Sequence, residues 1–151
     1  MIIEQTAIIE APVDVVMQIM NDVESVPTWA TVKGRIENIR GSGCGMTYDW
    51  HFTVDKLDFS GQSKVIEQTA DTLITETTGD IASIWTIKLA PAGNKRTTMR
   101  VVVEYTPLQA FVELLADIVI QQFVTPQEAR ENMRRFKEMV EERAKVIEPY
   151  A

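Results

Sequence analysis

Cys44, Asp49 and His51 fall within one short stretch of the chain. An aspartate two residues from a histidine along a strand shares its face, the arrangement of a base with its orienting carboxylate, and a nearby thiol could serve as nucleophile. The alternation of residue types argues otherwise. Met46, Tyr48, Trp50, Phe52 and Val54 occupy one face of this extended segment, and Thr47, Asp49, His51 and Thr53 the other. The apolar set belongs to the core, so Asp49 and His51 read as a solvated surface pair. Cys44 sits in Gly41-Ser42-Gly43-Cys44-Gly45, a run whose small residues suit a hairpin turn. The run lacks the Gly-Lys-Ser/Thr ending of a phosphate loop and leads into a strand where such a loop needs a helix.

The wider inventory narrows the chemistry further. With one cysteine and one histidine the chain cannot build an ordinary four-ligand zinc site or an intramolecular disulfide, so neither metal nor other cofactor is expected and a reducing compartment fits best. Fifteen Lys and Arg against twenty-two Asp and Glu give a formal charge of −7, which opposes a phosphate backbone and leaves nucleic acid a poor partner. The first residues, MIIEQTAIIEAPVD, carry no basic region of a secretory signal. The most apolar stretch, Phe111 to Val124, is interrupted by Glu113, Asp117, Gln121 and Gln122 and falls short of the ~20 apolar residues of a membrane span. These features predict a cytoplasmic protein without integral membrane association.

What remains is an aromatic and methionine-rich face. Trp85, Ile87 and Leu89 share one face of a later strand, and Met99, Val101, Val103 and Tyr105 one face of the last. With Met46, Tyr48, Trp50 and Phe52 they offer flat apolar surface carrying a few hydrogen-bonding tips, the makeup of a small-molecule pocket. Plain core is the alternative for any one of these residues. Collectively, Tyr48, Trp50, Trp85 and Tyr105 are easier to place inward around a wet or ligand-filled cavity, because their polar atoms need partners.

Positioning these residues requires a particular set of elements. Residues 2–10 read as a strand ended by Pro12, which suits the first turn of a helix. Val13, Val16, Met17 and Met20 then make one helical stripe ending near Asn21, and the Asp22 carboxylate is placed to cap a second turn from Val23 to Trp29. From residue 32 to 106 about six more strands alternate with short connections, at Gly41 to Gly45, Asp55 to Asp58, Ala70 to Asp71, Gly79 to Asp80 and Ala92 to Asn94, which favours one antiparallel meander. Helical periodicity returns in 108–124 and again in 126–147, the latter opened by the capping box Thr125-Pro126-Gln127-Glu128. Ala129, Met133, Phe136, Val140, Ala144 and Ile147 form its buried stripe, while Glu131 and Arg135 pair on its wet face. A curved sheet of about seven strands around the long C-terminal helix, an α+β helix-grip, buries both apolar faces in a single domain over 1–151.

Three places in the chain resemble the START-like, or SRPBCC, superfamily, and within it the polyketide cyclase/dehydrase branch. The first is Ile8-Ile9-Glu10-Ala11-Pro12-Val13-Asp14-Val15-Val16 followed by Asn21-Asp22-Val23-Glu24-Ser25-Val26-Pro27-Thr28-Trp29. The second is the Gly41 to Gly45 hairpin, and the third is Arg130-Glu131-Asn132-Met133-Arg134-Arg135-Phe136-Lys137 with Glu141-Glu142. The resemblance implies a cavity between sheet and helix for an apolar or aromatic molecule such as a polyketide, lipid, sterol or quinone. Its wall would be Trp29, Met46, Tyr48, Trp50, Phe52, Trp85, Met99 and Tyr105, faced by Phe111, Leu115, Val119 and Phe123 and then Met133, Phe136 and Val140. Aromatase/cyclase members place an aromatic hydroxyl and an arginine inside this cavity. Those positions fall near Lys33 and Gln68 here, and neither residue matches; Arg35, Glu67 or Tyr48 could supply a proton donor or acceptor instead. The sequence thus supports binding of a hydrophobic small molecule, with acid/base cyclisation or dehydration of a polyketide-like substrate as the alternative.

Overall fold

A computed structural model describes residues 2–31, 33–54, 57–106 and 125–147. The chain opens with β1 (Ile2–Ile9), whose alternation buries Ile3 and Ile9. Then follow α1 (Val13–Asn21), a single 3-10 turn (Val23–Ser25) and the one-turn helix α2 (Val26–Trp29). Six strands come next: β2 (Lys33–Arg40), β3 (Thr47–Val54), β4 (Leu57–Gln68), β5 (Thr72–Gly79), β6 (Ala82–Pro91) and β7 (Thr97–Thr106). The long helix α3 (Pro126–Ile147) closes the described chain. The helix expected over 108–124, with Phe111, Leu115, Val119 and Phe123, lies outside the described residues.

All seven strands form one antiparallel sheet in the order β1-β7-β6-β5-β4-β3-β2, so the meander is complete and β1 closes against the last strand. Short turns dictate this order, because a tight connection can join only antiparallel neighbours. The Gly41–Gly45 turn is built as a hairpin, its three glycines all taking positive φ. α3 packs across the concave face against β1, α1 and α2. Phe136 and Val140 are buried there with Ile9, Val16, Leu89 and Met99, while Met133 and Ala144 pack at the margin of that cluster.

The helical corner departs from expectation in three details. Pro12 is the extended residue preceding α1 and not its first helical residue. The buried face of α1 is Val15, Val16, Met17 and Ile19, with Val13 and Met20 only partly covered, because the helix is enclosed on two sides and buries a wider arc than one stripe. Asp22 makes no side-chain cap. Its backbone carbonyl accepts from the Ser25 hydroxyl at 2.7 Å, and its carboxylate turns outward to Arg143 at 3.1 Å. The capping box of α3 is half formed: the Glu128 N–H donates to Thr125 Oγ1 at 3.1 Å, whereas the Glu128 carboxylate accepts from the Thr31 hydroxyl. That diversion ties the start of α3 to the end of the helical corner, beside Thr31 N–H donating to Asn132 Oδ1 at 2.7 Å.

Candidate functional site

Between the sheet and the helical corner lies a cavity of about 160 Å³. A smaller space of about 80 Å³ adjoins it under α3, and Trp29, Trp85 and Tyr105 line both. Of the residues singled out from sequence, Met46, Tyr48, Trp50 and Phe52 line the larger cavity together with Trp29, Trp85 and Tyr105. Met99, Met133 and Phe136 line the smaller one. Val140 lines neither: it is fully enclosed in the core. Phe111 and Leu115 lie outside the described residues.

The aromatic wall is held by its neighbours. Trp50 and Phe52 project from the same face of β3 and stack at 5.5 Å between centroids with 22° between planes. Each ring covers a glycine directly across the strand pair, Gly61 on β4 and Gly34 on β2. A Cβ at Gly61 would meet the Trp50 ring at 2.5 Å and the Thr78 carbonyl at 2.0 Å; one at Gly34 would meet the Phe52 ring at 2.0 Å. Only the absence of a side chain lets the rings lie down on the sheet. Trp29 stands at the rim with its ring edge-on to Phe136, centroids 5.5 Å apart at 76°.

Pattern reading missed the polar part of the wall. Ser63, Thr75, Thr77 and Ser83 all line the cavity, and the corner adds Asn21, Ser25 and Thr31. Strand pairing puts Tyr48 opposite Ser63, Ser63 opposite Thr77, Thr77 opposite Ser83 and Ser83 opposite Tyr105. One row of hydroxyls therefore crosses β3 to β7 at a single level of the sheet. Ser63 and Thr77 share a hydrogen bond of 2.8 Å, and Trp85 Nε1–H donates to Ser83 Oγ at 3.1 Å. Ser83 lies two residues before Trp85, and Ser63 two before Val65, so alternation puts each on the buried face once pairing has fixed the register.

Burial pushes the Tyr48 phenol above its ordinary range, an effect partly offset by its hydrogen bond with Ser63; burial pushes Tyr105 up further. Both therefore stay protonated through the neutral range. Among the described residues the lining of the larger cavity contains no Asp, Glu, Lys, Arg or His. Lys33 and Glu67 are exposed, and Arg35 is exposed beside Glu37, so none of these positions lines it. Asp49 lies outward on β3, its carboxylate accepting from Asn38 Nδ2 at 2.7 Å, and Cys44 is exposed in the hairpin. Among the described residues no group of three His, Cys, Asp or Glu is arranged to hold a metal ion, and no helix is long and apolar enough to cross a membrane.

A curved seven-stranded sheet gripping a long C-terminal helix, with two short helices after the first strand, defines the helix-grip class. The chain belongs to the polyketide cyclase/dehydrase and lipid transport family, whose model it matches over residues 9–136. No curated protein matches the sequence at a significant level. Among solved structures, the Zhui aromatase/cyclase of a Streptomyces species superposes with a TM-score of 0.71 at 14% identity, covering 95% of this chain and 94% of that one. Norcoclaurine synthase of Thalictrum flavum, a point mutant solved with a transition-state analogue, gives 0.68 at 16% identity, covering 95% of both chains. A major latex-like protein of Panax ginseng gives 0.65 at 10% identity over 95% of this chain and 97% of that one. At these identities the likeness is one of fold.

Proposed function

We propose that residues 1–151 act as one ligand-binding domain that holds an apolar or aromatic small molecule in the cavity between the sheet and the helices. The observation that carries this reading is the cavity of about 160 Å³ walled by the faces of Trp50, Phe52 and Trp85. A cavity of about 150 Å³ accommodates a single aromatic ring, and the adjoining space extends the volume. Among the described residues the lining carries no charged group, which favours binding over acid/base turnover, because neither raised tyrosine is a ready proton donor or base near neutrality. Aromatase/cyclase action on a polyketide-like substrate, the activity named for the Zhui relative, is the alternative and needs an inward acid or base. Native mass spectrometry of the purified protein tests the proposal. A retained apolar molecule whose removal changes tryptophan emission supports it; aromatic probes that leave that emission unchanged at millimolar concentration overturn it.

A further inference from the structure

Several polar groups that line the larger cavity already have partners. Ser25 donates to the Asp22 carbonyl, Thr31 to Glu128 and Trp85 to Ser83, while Ser63 and Thr77 bond one another. Among the described residues, three buried side-chain polar atoms have no hydrogen-bond partner: Trp50 Nε1, Asn21 Oδ1 and Gln68 Oε1. Gln68 Oε1 lies beside Gly43 in the hairpin, and Gln68 lines neither space. Trp50 and Asn21 both line the larger cavity, and neither lines the smaller one. Two orphaned atoms thus share one chamber.

The two atoms are opposite in kind. An indole N–H only donates, and a side-chain carbonyl oxygen only accepts. Trp50 is 3% exposed, with its ring laid against Gly61, so the cavity is the side on which the indole can meet a partner. Asn21 Oδ1 is likewise shut off from solvent. A buried polar group left unpaired costs free energy, and a ligand that pairs it recovers that cost. A ketone or ether answers the indole and leaves Asn21 unpaired. A charged group meets no opposite charge in the described lining. A neutral group that accepts with one atom and donates with another answers both. Asn21 ends α1 and Trp50 lies in β3, in the two layers that enclose the cavity. Acceptor and donor on separate atoms reach across such layers, whereas a hydroxyl must put one oxygen within reach of both.

Resting on the ligand-binding reading above, we infer that Trp50 and Asn21 are specificity-determining residues for a ligand with a neutral carboxamide or lactam edge, whose carbonyl takes the indole N–H and whose N–H takes Asn21 Oδ1. That edge lies in the larger chamber, and the apolar remainder runs toward the smaller space beside Met99, Met133 and Phe136.

Benzamide, acetophenone and α-methylstyrene test this, because they keep one ring and nearly one shape while losing first the donor and then the acceptor. Binding is titrated by calorimetry and followed on the three tryptophan indole N–H signals of isotope-labelled protein. The Trp50 signal is the one absent from Trp50→Phe or, should that variant not fold, the one that remains in both Trp29→Phe and Trp85→Phe. It should move downfield with benzamide and acetophenone and not with α-methylstyrene. Asn21→Leu should weaken benzamide roughly three- to tenfold, the range of one neutral hydrogen bond, and leave acetophenone unchanged. Asn21→Ala gives the same ratio should Asn21→Leu not fold. An equal shift of the Trp50 signal with all three probes would overturn the role of Trp50. A benzamide-to-acetophenone ratio that the Asn21 substitutions do not alter would overturn that of Asn21, and the amide edge with it, and leave ligand binding standing. Dependence on Asn21 shown by benzyl alcohol and not by benzamide would likewise overturn the amide edge, in favour of a hydroxyl. Failure of every probe to bind would overturn the ligand-binding reading itself, and this inference with it.

Discussion

The groove between sheet and α3 has two ends that treat apolar residues differently. At one end Ile9, Val16 and Val140 have no exposure at all and interlock with Leu89 and Met99, and Thr97 is sealed among them, its hydroxyl donating to the Ala11 carbonyl at 2.7 Å. At the other end Tyr48, Trp85, Asn132 and Met133 are only half-buried around the cavity. The residue types account for the contrast. Branched aliphatic side chains fill space in any orientation and close up to interior density. Rigid rings laid over Gly34 and Gly61, opposite short hydroxyl side chains, cannot fold over to fill the space in front of them and leave a gap. Along α3 the same division falls within two turns, between Val140 in the sealed end and Asn132 and Met133 at the open one. One end holds the fold together, and the other is free to be shaped for a ligand.

The contrast breaks first where the two ends meet. Phe136 is buried in the sealed core and also borders the smaller space beside Trp29. Phe136→Ala should cost ~3–5 kcal/mol, the range for removing a packed aromatic ring, read from denaturant midpoints. A loss under ~1 kcal/mol would mean that the sealed end is not packed as described.

Gly61→Ala comes next. Its Cβ has no room between the Thr78 carbonyl and the Trp50 ring, so ~1–3 kcal/mol of strain is expected. Trp50 must lift from the sheet into the cavity, and probe binding should fall along with stability. Lost stability with probe binding intact would show that the Trp50 ring does not wall the site.

Trp85→Ala should then behave in the opposite way to Phe136→Ala. Because the ring lines an existing cavity, the stability cost should be below ~2 kcal/mol, while probe binding changes several-fold. A cost of ~3–5 kcal/mol with binding unaltered would place Trp85 in plain core.

Legibility in the sequence also differs between the two ends. The order of strands, the long helix and its buried Phe136 and Val140 could be read from hydrophobic period, because packing against one partner face imposes a strict period. The aromatic wall of β3 was legible for the same reason. The hydroxyl row was not, since serine and threonine on an alternating strand read as an outer face until pairing fixes the register. A bulge deepens the ambiguity: the β4–β5 register shifts between Val65 and Glu67, which leaves Ile66 and Glu67 both exposed. Asp22 misled for a local reason. Its type suits a helix cap, but Arg143, distant in sequence, offers a charged partner that only the tertiary fold brings near.

The smallest effect concerns the charged face of α3 in its first turns, beside the open end. Hydrogen bonds from Arg134 and then Arg135 hold the Glu131 carboxyl down at about 2, and Arg135 also reaches the Ala30 carbonyl at 3.4 Å on the cavity rim. A carboxylate whose pKa is depressed in the folded state contributes stability at every pH above its unfolded value of 4.5, and that contribution fades as pH falls from 4.5 towards about 2. The pair is exposed to solvent and salt, so its share is small. Glu131→Gln should therefore lower the melting temperature slightly at pH 7, and the gap between variant and wild type should close by pH 2. Amide exchange at Ala30 and Thr31 should quicken in the variant, while exchange at Val16 and Val140 stays as in the wild type. A gap that persists undiminished at pH 2, or faster exchange at the sealed end, would show that Glu131 acts on packing and that the two ends are not separable.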